Sequence, residues 1–136
     1  HDNDGRPQLH ALVWTGHKEQ HGLYWLKSTD DGVTWTTPHS MGGERARHAD
    51  IGAAGQSIVA AWDEARGIWI SISHDLGEKW SPPRRVSTDN MVASHPIVVS
   101  TGTGVRLFWT ERDTAGQLHW RSKQFDSEEE RPTEAQ

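Results

Sequence analysis

Two octads constrain this chain more than any other feature: Ser28-Thr29-Asp30-Asp31-Gly32-Val33-Thr34-Trp35 and Ser73-His74-Asp75-Leu76-Gly77-Glu78-Lys79-Trp80. Both read S-x-D-x-G-x-(T/K)-W, and they start 45 residues apart. The spacing of polar groups suits a turn that staples itself. A Ser hydroxyl and an Asp carboxylate can each accept from backbone N–H groups a few residues on. The Gly supplies a positive φ that a side chain resists. The Trp opens the return strand with a large apolar face and a single donor. Each octad follows a short apolar run, Leu23 to Leu26 or Ile68 to Ile72, and precedes a Pro-containing stretch. The local reading is strand, stapled turn, strand, twice.

A longer period encloses the octads. Trp14, Trp62 and Trp109 each end an apolar run (Leu9–Trp14, Ser57–Trp62, Val105–Trp109) at spacings of 48 and 47 residues. After each come a polar loop and a second apolar run, Leu23–Lys27, Ile68–Ile72 or Leu118–Ser122. The octad closes the first two units and is degenerate in the third, at Lys123-Gln124-Phe125-Asp126. Two units also open on a strand, His48–Ala53 and His95–Ser100. The full unit is therefore four strands, A to D, in about 47 residues, the size of a propeller blade. The expected domain layout is 1–47, 48–94 and 95–126, with about ten strands and no helix. Strand A of the first unit and strand D of the third are expected to be missing. The end 127–136 is acidic, has no apolar period and reads as a mobile tail.

Composition agrees with short strands that bury few but large residues: 33% of the 136 residues are hydrophobic, yet eight are Trp. The formal charge of -5 argues against a general nucleic-acid surface. No apolar run is long enough to span a bilayer as a helix. There is no cysteine, hence neither a disulfide framework nor thiol chemistry. The first residue is His1 rather than Met, which suggests processing or trimming of a longer precursor.

The octads and the four-strand unit resemble the sialidase (neuraminidase) superfamily of Asp-box β-propellers, over roughly residues 9 to 122. The resemblance implies an all-β fold of about three four-stranded antiparallel blades, half of a six-bladed propeller. It makes Ser28, Asp30, Gly32, Trp35, Ser73, Asp75, Gly77 and Trp80 structural, at the end of the blades opposite a ligand face. The D–A and B–C loops would form that face: Pro38–Asp50, Ser81–His95, Thr15–Gly22, Asp63–Gly67 and Thr110–Gln117. Arg45, Arg47, Asp50, Asp63, Arg66, Trp69 and Arg112 are the candidate ligand residues. Trp14, Trp62, Trp109, Trp35 and Trp80 are read as core because they recur at fixed positions, leaving Trp69 as the Trp best placed to meet a ligand.

Sialidases hold the substrate carboxylate with three arginines and attack with a Tyr assisted by a Glu. The only Tyr here is Tyr24, inside a strand leading to an octad. No catalytic residue is carried over, so the expected function is a non-catalytic binding or scaffold module, periplasmic or secreted, with a glycan or small-molecule ligand. One alternative is a fragment of a sialidase-type glycoside hydrolase whose catalytic residues lie in further blades.

The nine His residues raise another alternative, a copper- or zinc-binding envelope protein. His17 and His21 are spaced as H-x3-H in a loop, His48 and His95 begin equivalent strands, and a free His1 amine and ring could chelate copper. The competing view is that these His cap strands and bond backbone. Three blades do not close a ring, so the chain is expected either to pair as a dimer or to belong to a longer precursor.

Overall fold

The computed structural model describes residues 7–127. They form ten strands and no helix: β1 (Leu9–Thr15), β2 (Gly22–Ser28), β3 (His39–Gly42), β4 (Arg47–Ala54), β5 (Ser57–Glu64), β6 (Gly67–Ser73), β7 (Arg84–Arg85), β8 (Val92–Ser100), β9 (Gly104–Arg112) and β10 (Leu118–Asp126). These make three antiparallel sheets in sequence order, β1-β2-β3, β4-β5-β6-β7 and β8-β9-β10. The second sheet has four strands; among the described residues the first and third have three each. None of the sheets is closed. No helix among the described residues is long and apolar enough to cross a membrane. His1, the turn read at Asp2–Asn3–Asp4–Gly5 and nearly all of the acidic end lie outside the described residues.

The second sheet is the middle layer, and β5 shows why. Its residues alternate between two cores, as a strand with both faces covered requires. Ile58, Ala60 and Trp62 pack with Leu23, Trp25, Met41 and Ala46 of the first sheet and its connection. Val59 and Ala61, with Ile68, Ile70 and Ile72 of β6, pack against Val98, Val105, Leu107 and Trp109 of the third sheet. Hydrogen bonds join the second and third sheets at their first strands: the Val98 amide donates to Asp50 Oδ2 at 2.8 Å, and Ser100 Oγ donates to the Ala53 carbonyl at 2.7 Å.

Among the described residues, both outer layers keep one face uncovered. On the first sheet, the pairs Ala11–Leu26 and Val13–Tyr24 share that face, and Val13, Tyr24 and Leu26 with Thr37 and Pro38 border an apolar cleft of about 450 Å³. On the third, Ile97, Val99 and Trp120 are exposed, Trp120 by 77%.

Three expectations are corrected. Trp14, Trp62 and Trp109 do not share one position: Trp62 and Trp109 are 1% and 5% exposed, whereas Trp14 is 43% exposed. Trp62 pairs with Trp69, four residues before Ser73, but Trp14 pairs with Leu23, five residues before Ser28. One residue of difference turns a side chain to the other face, so Trp14 faces the second sheet instead of sharing Trp62's orientation. Trp35 is likewise 43% exposed rather than core. Lys123–Asp126, read as a decayed octad, simply continue β10.

Candidate functional site

The two ends of the sheets differ in chemistry. At the octad end the polar groups answer one another. Ser28 Oγ accepts from the Gly32 amide at 2.9 Å and donates to Asp30 Oδ1 at 2.8 Å, and Asp30 accepts from both the amide and the hydroxyl of Thr34. The second octad repeats this: Ser73 Oγ accepts from the Gly77 amide at 2.8 Å, and Asp75 accepts from the Lys79 amide at 2.9 Å. The residue after each Trp adds a further tie, with Thr36 Oγ1 accepting from the Lys27 amide and Ser81 Oγ from the Ile72 amide. Gly32 and Gly77 hold φ of 87° and 94°, each preceded by a second left-handed residue, Asp31 or Leu76. Hydrogen bonds from the Thr34 hydroxyl and amide pull the Asp30 carboxyl down to about 2, and the Lys79 amide lowers Asp75 in the same way. Lys79 in place of Thr costs the second turn its side-chain bond but not its amide bond.

The loop end is different. The expected loops are shorter than read from sequence, because β3, β7 and the first residues of β4 and β8 occupy part of them. Arg45 and Arg66 remain in loops; Arg47 and Asp50 lie in β4, Asp63 in β5, Trp69 in β6 and Arg112 at the end of β9. His48 and His95 both stand where the ladders slip. β4 carries one extra residue between Arg47 and Ala49 against β5, and β8 one between Ser94 and Ile97 against β9. Such bulges re-aim a side chain out of the ladder. The two imidazoles come to 3.9 Å between ring centroids. The buried Asp63 joins them: its Oδ2 lies 2.9 Å from His48 Nδ1 and accepts from the His95 amide at 2.9 Å. With Asp63 ionised, His48 Nδ1 carries the proton and donates.

Beside this trio, His48, Arg47, Trp14 and Leu12 border a cleft of about 320 Å³. The Arg47 guanidinium lies 4.7 Å from the centre of the Trp14 ring and donates to the carbonyls of Glu44 and Ala46, which fix it there. His21 meets the Trp14 ring edge-on at 5.8 Å. A second hollow, of about 630 Å³, opens between Arg66, Arg85, Asn90 and Thr114, with Ala65, Arg66 and Asn90 all in left-handed backbone.

The other sequence candidates fall apart from these. Asp50 ties the second sheet to the third and also accepts from the Ile51 amide. Trp69 does not face a ligand cleft: it packs on the core between the first two sheets and donates its indole N–H to the Glu64 carbonyl. Arg112 donates to the Gly116 carbonyl of its own loop. His17 accepts from the Glu19 amide and is not grouped with His48.

Sequence reasoning places Glu64 and Glu111 near the loop arginines but misses their role. Glu64 Oε1 accepts from the Trp62 indole at 3.1 Å and from the Gly43 amide at 3.0 Å. Glu111 Oε1 accepts from the Trp109 indole at 2.9 Å and the Thr88 amide at 2.8 Å, and its Oε2 from Arg121. Burial pushes the Glu111 carboxyl up, but these donors outweigh it and hold it below its ordinary value. Each Glu clamps its sheet to the connection arriving from the sheet before. The signal was a repeated Trp-x-Glu, at Trp62 and Trp109; the first unit has Trp14-Thr15-Gly16 instead.

No protein-family model matches the chain, and no curated protein matches it.

Proposed function

We propose that the three sheets are blades of an Asp-box propeller of the sialidase type, acting outside the cytoplasm as a non-catalytic binding or scaffold module. Its ligand, a glycan or another small polar molecule, sits in the cleft at Trp14, Arg47 and His48. One observation carries this reading: the polar groups of the octad end are consumed in their own turns, whereas the loop end sets an aromatic ring beside a fixed guanidinium and an exposed imidazole. An indole face stacks on a sugar ring, and a guanidinium donates in a plane to hydroxyl or carboxylate oxygens. Tyr24, the one residue that could play a sialidase nucleophile, borders the uncovered face of the first sheet instead of this cleft, which supports the non-catalytic form.

Titration of the intact chain with sialic acid and with neutral mono- and disaccharides, followed by NMR, tests the proposal. Saturable shifts are expected at Trp14, Arg47 and His48. Arg47→Ala should weaken binding about tenfold or more, as loss of a charge-assisted bond does. Turnover of a fluorogenic sialoside would overturn the non-catalytic reading, and shifts confined to the octads would overturn the siting.

The same reading gives the uncovered faces an occupant, a second copy of this chain. Inside the chain, the forward face of one sheet is covered by the backward face of the next, twice. The third sheet offers a forward face with Ile97, Val99 and Trp120, and the first a backward face with Leu9, Val13 and Tyr24. Two copies in a ring would bring these together at both seams and make six blades.

A further inference from the structure

We propose that His48, His95 and Asp63 form a binding site for a divalent transition ion, Zn(II) by preference. Each offers one ligand atom, and the three atoms lie within 4.8 Å of one another. Two imidazole nitrogens and a carboxylate oxygen are a zinc donor set, which leaves a fourth position for water or an incoming group. Zinc–ligand bonds of about 2.0–2.1 Å require the donors to draw in by roughly an ångström. Both imidazoles are exposed while the carboxylate is buried, so an ion reaches the rings from solvent with Asp63 behind them. Both described bonds to Asp63 go to Oδ2. An ion can therefore take Oδ1 while Oδ2 keeps the His95 amide.

The backbone gives independent support. A purely structural role explains the Asp63–His95 amide bond, since any residue but Pro at 95 supplies that N–H. It does not explain an imidazole there. His95 adopts φ of +56°, a left-handed conformation that strains a non-glycine residue and that Gly would adopt freely. The strain is accepted at a bulge that brings the ring to 3.9 Å from a second imidazole, itself on a bulge of the equivalent strand. Two strained or irregular positions converging on one buried carboxylate mark a built site rather than a chance cluster.

The inference goes beyond the glycan reading and does not rest on it: zinc bound here with no glycan affinity would uphold this proposal and sink the other. The test is equilibrium dialysis of the intact chain against Zn(II), with metal analysis, and Co(II) absorption as a report on nitrogen ligation. One equivalent per chain is expected. His48→Ala and His95→Gly should each weaken binding at least about tenfold, as loss of a site residue does. His95→Gly suits the left-handed backbone, so its unliganded melting temperature should equal or exceed that of the native chain, which separates lost ligation from lost folding. His17→Ala and His21→Ala should leave binding unchanged. Substoichiometric zinc, native affinity retained in the His48 and His95 variants, or loss of binding only with His17 or His21 would overturn the proposal.

Discussion

Gly77 and Gly55 both take positive φ, yet they sit in opposite surroundings. A Cβ on Gly77 would overlap the Trp25 ring of the neighbouring sheet, whereas a Cβ on Gly55 meets nothing within 4 Å. Gly77→Ala should therefore cost about 3 kcal/mol or more, combining overpacking with backbone strain. Gly55→Ala should cost only about 1 kcal/mol, from φ alone; chemical denaturation of the two variants reads the difference. His10 supplies a pH dependence. Burial against Trp25, with Lys27 nearby, lowers its pKa from 6.5 to about 4, so the folded chain holds it neutral. The unfolded chain binds the extra proton between those values, so stability is full above 6.5 and falls as pH drops towards 4. Asp30 acts in a lower window: its contribution is present above its unfolded value near 3.8 and is lost as pH falls towards about 2. A melting-temperature series should show the first limb flatten in His10→Gln.

At the scale of elements, the stapled turns and the strands they join were legible in the sequence because their chemistry is local. Ser, Asp and Gly within five residues satisfy their own backbone, and no distant partner is needed. The glutamate clamps were not legible, because Glu64 and Glu111 acquire a role only once the preceding connection lies over the Trp indole. Glu111→Ala leaves the buried Trp109 indole, the Thr88 amide and Arg121 unanswered, and should cost about 3 kcal/mol. Glu64→Ala, at a less buried site, should cost about 1–2 kcal/mol. The candidate site was half legible. The 47-residue spacing of His48 and His95 showed their equivalence, and Asp63 stood among the loop-end acids. What joins them is a pair of bulges, and nothing in His48-Ala49-Asp50 or His95-Pro96-Ile97 announces an extra residue in a ladder. Trp14 was misplaced for a related reason, a hairpin whose pairing differs by one residue.

For the whole molecule, the uncovered outer faces give the clearest prediction. Light scattering on a sizing column should return about twice the chain mass of 15.3 kDa. Val13→Lys places a charge on the backward face of the first sheet without entering either core, and should return a particle of one chain mass. A native chain that remains at 15.3 kDa at every concentration would remove the paired ring, while leaving the three-sheet fold as described.

The two uncovered faces are also unlike each other, so the seam proposed between copies joins one face to the other, head to tail. Such a contact ends only when the turn through three sheets brings the last copy back to the first. If each copy turns through half a circle, growth stops at two; if the turn falls short or overshoots, the same seam repeats without limit and builds a helical filament. In that proposed assembly the pitch from one sheet to the next, with side chains as small as Ala60 and Ala61 buried on β5, would decide between a discrete particle and a fibre.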